Sequence, residues 1–371
     1  MKVLHLIARF NTGGTATWIS NLASSQQVNG YEVLICTGRV SKGEREDSTI
    51  HNVPSKYLKN LGREISIFAD LMAFFEIRRI LIEYRPDLIN THTAKAGVLG
   101  RIAALSLGSK RPYIVHTIHG HLLYGYFGRI GRMLVILFER FLANRTDMLL
   151  FAGERVLREC LAEGIGKNCQ TYVVRPGVRP PLKLTRLEAR ANLGLERIGS
   201  NVCVGWLARI APIKRLDRVL GVAALLPHIT FLIGGGGEDL SKYKETAPDN
   251  CFFLGWVDPS NFWNSCDIAL LTSDNEALPI SLIEAQLLSI PAVTTPAGSA
   301  IEVVKHNHSG LVADFSIQGL AAAIEKLVNS VSLRAKMGKN AEHDATEIFS
   351  LERQFRDHNE AYLKTMRCDE R

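Results

Sequence analysis

Short apolar runs alternate along this chain with longer stretches in which apolar positions recur every three or four residues. In the first half the runs are "KVLHLIA", "YEVLICT", "DLINTHT" and "YIVHTIHG", and "TATWISNLASSQQVNG" is a helix-like stretch between the first two. Strand, crossover helix, strand is the rhythm of a parallel, doubly wound sheet. After residue 200 the rhythm repeats with "NVCVGWLA", "ITFLIGGGG", "CFFLGWV", "IALLTS" and "IPAVTT". The pattern therefore predicts an α/β protein with two Rossmann-like domains. Between them "VVRPGVRPPLKLTRLEARANLGL" carries three prolines and no apolar period at its start, which marks a linker feeding a helix. The expected division is residues 1–180, residues 181–350, and a closing helix over 351–371 that packs back on the first domain.

Length agrees with this division, because 371 residues exceed what one hydrophobic core usually supports. With 46% hydrophobic and 22% charged residues, the composition is that of a soluble globular protein. No apolar run approaches the roughly 18 residues of a membrane-spanning helix, and "MKVLHLIARF" alternates like a strand without a cleavable-signal pattern. A cytoplasmic location is expected. The cysteines at 36, 160, 169, 203, 251, 266 and 368 are odd in number and form no C-x-x-C pair, which argues for reduced thiols and against a zinc site.

Charge changes the picture of the first half. Residues 1–185 hold 25 Lys and Arg against 14 Asp and Glu, whereas the remainder holds 19 against 23, for a net charge of +7. A basic half attracts an anionic partner such as a phospholipid leaflet, a polyprenyl diphosphate or nucleic acid. No nucleic-acid-reading motif accompanies the charge, so no nucleic-acid partner is expected. The segment "HLLYGYFGRIGRMLVILFERFLANR" mixes aromatics, long aliphatics and arginines, a pattern shared by membrane-surface helices and by packed crossover helices.

Two doubly wound domains facing one another make a cleft, and ligands bind such sheets beyond the carboxyl ends of the strands. Four motifs follow strands directly. In "ARFNTGGTATWIS", Gly13 and Gly14 let a ligand approach the backbone where a helix begins. In "VHTIHGHLLYGYF", the histidines at 116, 119 and 121 gather at a strand end, and His119 beside Gly120 should emerge at the cleft. No acidic or cysteine ligand at a usual spacing accompanies them, so no metal is expected. In "VGWLARIAPIKRLDRVL", Arg209 and Lys214 offer a guanidinium and an ammonium beside a helix start, which suits a diphosphate whose charge grows as it departs. Arg215 and Arg218 read as surface charges.

The fourth motif is "SDNEALPISLIEA". Pro279 suits the first position of a helix, which puts Glu276 in the loop before it and Glu284 in its second turn. A carboxylate among leucines needs a partner. A sugar held by Glu276 and a ribose diol held by Glu284, at the two ends of a diphosphate, would supply one for each; an internal arginine is the alternative for Glu284.

Glu276 and Glu284 with seven residues between, the earlier Arg209 and Lys214, "LIGGGGEDL", "FFLGWV" and Gly13-Gly14 together resemble the family 4 retaining glycosyltransferases of GT-B fold, over nearly the whole chain. The resemblance implies metal-independent transfer of a sugar from a nucleotide-diphosphate donor with retained anomeric configuration. Carried over residue by residue, it assigns Arg209 and Lys214 to the leaving diphosphate, Glu276 to the donor sugar and Glu284 to the ribose. It assigns Gly255, Trp256 and Val257 to the base, with Gly234, Gly235 and the following glycines beside it. The amides of Leu278 and Ile280 fall to the phosphates and sugar, because Pro279 has no N–H. His119 would reach the sugar near its anomeric carbon, and Gly13 and Gly14 would face the diphosphate. Two departures bear on the donor: Ala277 replaces a common glycine, and Trp206 is bulky for a strand facing the cleft.

The expected activity is transfer of a hexose or N-acetylhexosamine from a UDP-sugar to a glycan or lipid-linked acceptor in surface polysaccharide or glycolipid synthesis. No cofactor is expected beyond the nucleotide-sugar co-substrate. The basic half adds a peripheral association with an anionic membrane on its inner face. A nucleotide-sugar epimerase of related fold and a catalytically silent nucleotide-sugar-binding scaffold are the alternatives. A dehydrogenase is disfavoured by the missing dinucleotide fingerprint.

Overall fold

The computed structural model describes residues 1–41, 44–62, 64–120, 129–199, 201–237 and 239–367. The chain divides into two compact units, one of Met1–Gly177 together with the segment from Leu351, and one of Val178–Ser350. No helix among the described residues is long and apolar enough to cross a membrane.

The first unit is built on seven parallel strands: β1 (Lys2–Ile7), β2 (Glu32–Gly38), β3 (Ser55–Leu58), β4 (Leu88–His92), β5 (Tyr113–Ile118), β6 (Met148–Phe151) and β7 (Gln170–Val173), in the order β3-β2-β1-β4-β5-β6-β7. Both faces of such a sheet are covered by crossover helices, so its strands read as continuous apolar runs; β1, β4 and β5 are buried almost throughout. The helix Leu351–Arg367 returns to this unit and packs on Gly14–Val28, burying Ala361 and Tyr362 in a core with Trp18 and Val115.

The second unit repeats the plan with β8 (Cys203–Leu207), β9 (Thr230–Gly234), β10 (Cys251–Gly255), β11 (Ile268–Leu271), β12 (Ala292–Thr294) and β13 (Gly310–Val312), ordered β10-β9-β8-β11-β12-β13 and again all parallel. In both units the strand order reverses beside the first strand, between β1 and β4 and between β8 and β11. Loops leaving two such neighbouring strands run off in opposite directions and leave a crevice at the carboxyl end of the sheet.

Trp206 faces the core and not a crevice. It is 1% exposed and packs with Leu216, Phe231 and Leu270, and its indole N–H donates to the Thr272 hydroxyl at 3.2 Å. Its bulk therefore takes no room from a ligand. Arg218, expected on the surface, is buried, donating to the Thr272 carbonyl at 2.8 Å and pairing with Asp274 at 2.7 Å.

Candidate functional site

The crevice between β8 and β11 collects most of the residues singled out in the sequence. Arg209 leaves β8 on a fixed backbone, because the N–H of Ala208 donates to Gly234 at 3.1 Å and that of Ile210 to Gly236 at 2.9 Å. The glycine run permits this contact. Gly235 has φ of 117°, and a Cβ there would lie 1.9 Å from the Ala208 carbonyl oxygen, so no side chain fits. Arg209 is exposed and makes no hydrogen bond or ion pair among the described residues.

Lys214 closes a short 3-10 turn, Pro212–Lys214, and Arg215 follows with φ of 53°. The Asp274 N–H donates to the Ile213 carbonyl at 2.9 Å, and the Thr272 hydroxyl lies 3.0 Å from the Lys214 carbonyl, which ties the loop after β8 to the loop after β11. Across that tie Lys214 Nζ meets Glu276 Oε1 at 2.5 Å, and the Ser273 hydroxyl donates to the same oxygen at 2.6 Å. Glu276 is 9% exposed, and its Oε2 has no partner among the described residues.

A third segment holds the Glu276 loop from behind. The Ser299 N–H donates to the Glu276 carbonyl at 3.0 Å, and Gly298, with φ of 52°, lies so close that a Cβ would sit 1.9 Å from that oxygen. The Thr295 hydroxyl donates to the Ser273 carbonyl at 2.7 Å. Sequence reasoning missed these three residues. The available signal was "TTPAGSA" immediately after β12, a turn at a strand's carboxyl end.

Pro279 stands one position earlier than expected, as the residue capping the helix Ile280–Gln286, with φ of −72° and ψ of 101°. The N–H groups of Leu278 and Ile280 donate to no backbone carbonyl among the described residues. Ala277 is not among the residues with positive φ, so its conformation does not require the glycine it replaces. Glu284 lies in the second turn of that helix, partly buried. Burial pushes its carboxyl up to about 7, the Trp263 indole opposes the rise and the Asp258 carboxylate adds to it. Neither arginine nor lysine pairs with Glu284 among the described residues, so the internal salt bridge considered from sequence is not formed. At the exit of β10, Trp256 is 42% exposed and its ring lies against Gly236, where a Cβ would fall 2.6 Å from the indole nitrogen. Val257 beside it is partly buried.

In the first unit the exposed Gly13 and Gly14 open the helix Gly14–Val28 directly after β1. His119 follows β5 and is partly buried, its Nε2 lying 2.8 Å from His92 Nδ1. His116 serves the fold: it is 1% exposed, with its Nδ1 2.9 Å from the Thr91 hydroxyl. His121 lies outside the described residues, as does the first part of the aromatic and basic segment. Among the described residues no three His, Cys, Asp or Glu side chains gather in a way that could hold a metal ion.

Residues 199–344 match the family model of the glycosyl transferases group 1, and residues 12–180 match that of Glycosyltransferase Family 4. The chain belongs to these glycosyltransferases. It is 25% identical over 337 residues to the UDP-Gal:alpha-D-GlcNAc-diphosphoundecaprenol alpha-1,3-galactosyltransferase of Escherichia coli, covering 86% of this chain and 85% of the relative. It is 23% identical over 321 residues to the capsular polysaccharide biosynthesis glycosyltransferase CapM of Staphylococcus aureus, covering 82% of each. Among solved structures, Anabaena Alr3699/HepE in complex with UDP and glucose superposes with a TM-score of 0.83 at 22% identity, covering 98% of this glycosyltransferase and 100% of that chain. The fold is GT-B, and the enzyme is a glycosyltransferase of polysaccharide or glycolipid synthesis.

Proposed function

We propose that this glycosyltransferase moves a hexose or N-acetylhexosamine from a UDP-sugar to a glycan or lipid-linked acceptor, retaining the anomeric configuration and using no metal. The observation that carries the reading is the cluster at the β8–β11 crevice: Arg209 unpaired among the described residues, Lys214 resting on Glu276, and Glu284 pushed up to about 7 by burial with no cationic partner among the described residues. As the bond to the anomeric carbon breaks, negative charge accumulates on the diphosphate. Arg209 is free to meet it, and Lys214 can turn from Glu276 to the phosphates, a contact strongest in the transition state. Glu276 Oε2 then accepts from hydroxyls of the donor sugar. Glu284 accepts two hydrogen bonds from the ribose diol, which favours its ionised form. Leu278 and Ile280, whose amides donate to no backbone carbonyl among the described residues, supply them to the phosphates and sugar, and Trp256 and Val257, with Gly234 and Gly235 beneath, flank the base. In the first unit, Gly13 and Gly14 suit an anionic group and His119 a sugar hydroxyl.

UDP as the nucleotide is supported by the Escherichia coli galactosyltransferase, whose name carries UDP-Gal, and by the Anabaena structure in complex with UDP and glucose. The experiment is turnover with UDP-glucose, UDP-galactose and their N-acetyl counterparts in the presence of polyprenyl-diphosphate-linked sugars, with the product's anomeric configuration read by NMR. Inversion of configuration would overturn the retaining assignment, and turnover that collapses in EDTA would overturn the metal-free one.

An anionic membrane surface is proposed as the place of action. One side of the helix Arg129–Ala143 buries Ile136 and Leu142, while Met133, Leu134, Leu137, Phe138 and Phe141 are exposed. Arg140 and Arg145 lie exposed among them, Arg145 stacked on Phe141 at 3.9 Å. Through Arg101–Glu139 and Lys95–Asp70 the helix Ala94–Leu105 ties this helix to Ile67–Tyr84, which exposes Ile67, Phe68, Leu71 and Phe75. Aromatic and aliphatic side chains flanked by arginines suit a headgroup boundary. Cosedimentation with vesicles containing phosphatidylglycerol at low salt, lost in Leu137→Glu/Phe141→Glu, is the expected result; no binding at low salt would remove the membrane from the account.

A further inference from the structure

Three strands of the first unit carry polar residues at alternate positions of otherwise apolar runs: His5 in β1, Asn90 and His92 in β4, Thr117 in β5 followed by His119. The register pairs His5 with Asn90, Ile7 with His92 and His92 with Thr117. Neighbours in register on a pleated sheet project to the same side, and period two keeps the alternate residues there. The histidines thus share one side of the sheet, under the helices that supply Trp18, Gln26 and Tyr362.

They are joined in a line. His119 Nε2 lies 2.8 Å from His92 Nδ1, His92 Nε2 lies 3.0 Å from His5 Nδ1, and His5 Nε2 lies 2.8 Å from Gln26 Oε1. His5, His92 and Gln26 are 1% exposed or less. A neutral imidazole has one donor nitrogen and one acceptor, so the last partner decides every proton in the line. The Gln26 oxygen can only accept. His5 must therefore donate from Nε2 and accept at Nδ1, His92 must donate from Nε2 to it and accept at Nδ1, and His119 must donate from Nε2. The outer nitrogen of His119, Nδ1, is left with a lone pair, and it is buried with no partner among the described residues. The edge of Trp18 stands against the His119 ring at 4.8 Å and 87°, which fixes the ring plane. Thr93, next to His92, holds φ of 67°, a strained value for a β-branched residue.

We propose that His5, His92 and Gln26 are positioning residues that lock His119 in its Nε2–H tautomer, so that Nδ1 is presented as a hydrogen-bond acceptor to a ligand hydroxyl at the carboxyl end of the first unit's sheet. This deepens the glycosyltransferase reading and rests on it for the identity of the hydroxyl, though not for the tautomer. Burial keeps the line uncharged at neutral pH: it lowers His5 to about 4 and His119 to about 3, and it lowers His92 as well. At metal-bound histidines, partners that fix the tautomer cost about 10- to 100-fold in affinity or activity when removed, and a loss on that order is expected here.

The test is the protonation pattern of His119 by nitrogen-15 NMR of the histidine-labelled full chain, its signals assigned by their loss in His119→Gln. Wild-type protein without ligand should show a protonated Nε2 and a bare Nδ1. A protonated Nδ1 there, which a reversed Gln26 amide would impose, overturns the proposal with no reference to catalysis. His92→Leu removes the acceptor and should give mixed tautomers with kcat down about 10-fold or more at nearly unchanged KM. His92→Asn, whose oxygen can stand in for Nδ1, should restore both. Loss of kcat in His92→Leu with a single unchanged tautomer would assign His92 to the fold alone. If the wild-type tautomer is as stated but no UDP-sugar is turned over, the relay stands and the donor assignment fails.

Discussion

Glu284 allows the nucleotide assignment to be tested through a proton. Its carboxyl is raised from 4.5 to about 7, so in the ligand-free enzyme at pH 6 most of it is protonated. An unfolded chain ionises near 4.5 and binds fewer protons than the folded one between 4.5 and 7. Stability contributed at this position therefore falls as pH rises across that window and stays low above it. At 1.36 kcal/mol per pH unit the loss is at most about 3 kcal/mol, less for the water that reaches a partly buried group. Glu284→Gln should leave stability at pH 4 unchanged and raise it at pH 8. A ribose diol that donates two hydrogen bonds favours the carboxylate, so binding should expel the proton. Calorimetric titration with UDP-glucose, whose diphosphate is a diester with no ionisation near 6, isolates this group. In two buffers of different ionisation enthalpy at pH 6, about one proton should be released, with little release at pH 8, and Kd should weaken by up to about tenfold for each unit that pH falls below 7. Glu284→Gln should bind more weakly and lose the pH dependence. A wild-type Kd that is flat from pH 5.5 to 8 would refute the diol assignment.

Other consequences concern the same crevice and its supports. Lys214→Ala should lower kcat by about 100-fold or more, because it removes a contact that strengthens as the diphosphate leaves; full activity in that variant would rule out the diphosphate role. Gly298→Ala should displace the Glu276 loop, since its Cβ would meet a carbonyl oxygen, and should reduce donor turnover together with a stability loss of about 1–3 kcal/mol read by urea unfolding. Arg101→Met should cost about 3–5 kcal/mol, because it leaves Glu139 buried and unpaired, whereas replacing both residues with apolar ones of similar volume should recover most of that loss.

The two-sheet architecture was legible because parallel strands covered on both faces read as unbroken apolar runs, as in "ITFLIG" and "IALLTS". The strands that escaped are short. Gly310–Val312 has three residues, Met148–Phe151 is a buried run of four, Ser55–Leu58 lies at a sheet edge with two of its four residues exposed, and Gln170–Val173 is only partly buried. Site residues carrying charge beside a turn, such as Arg209 and Glu276, were readable because their chemistry is unusual at a strand exit. Gly298, Ser299 and Thr295 were not, since a glycine, an amide or a hydroxyl acquires its role from a carbonyl distant in sequence. His5 and His92 show the same limit. Each is a lone histidine in an apolar strand, and only the register of β1, β4 and β5 turns them into a line. Trp206 misled in the opposite direction, because alternation alone does not say which side of a buried strand faces the core and which the loops.

The central claim is that the β8–β11 crevice holds a uridine nucleotide, and thermal unfolding with UDP, GDP, ADP, CMP or no nucleotide tests it most directly. Binding at about 100 times Kd adds roughly 2.7 kcal/mol to the folded state, enough to raise Tm visibly. UDP alone should produce the shift, and Glu284→Ala and Arg209→Ala should diminish it. A shift with GDP or ADP in place of UDP would contradict the donor, and the absence of any shift would leave Arg209, Lys214, Glu276 and Glu284 without the ligand this account gives them.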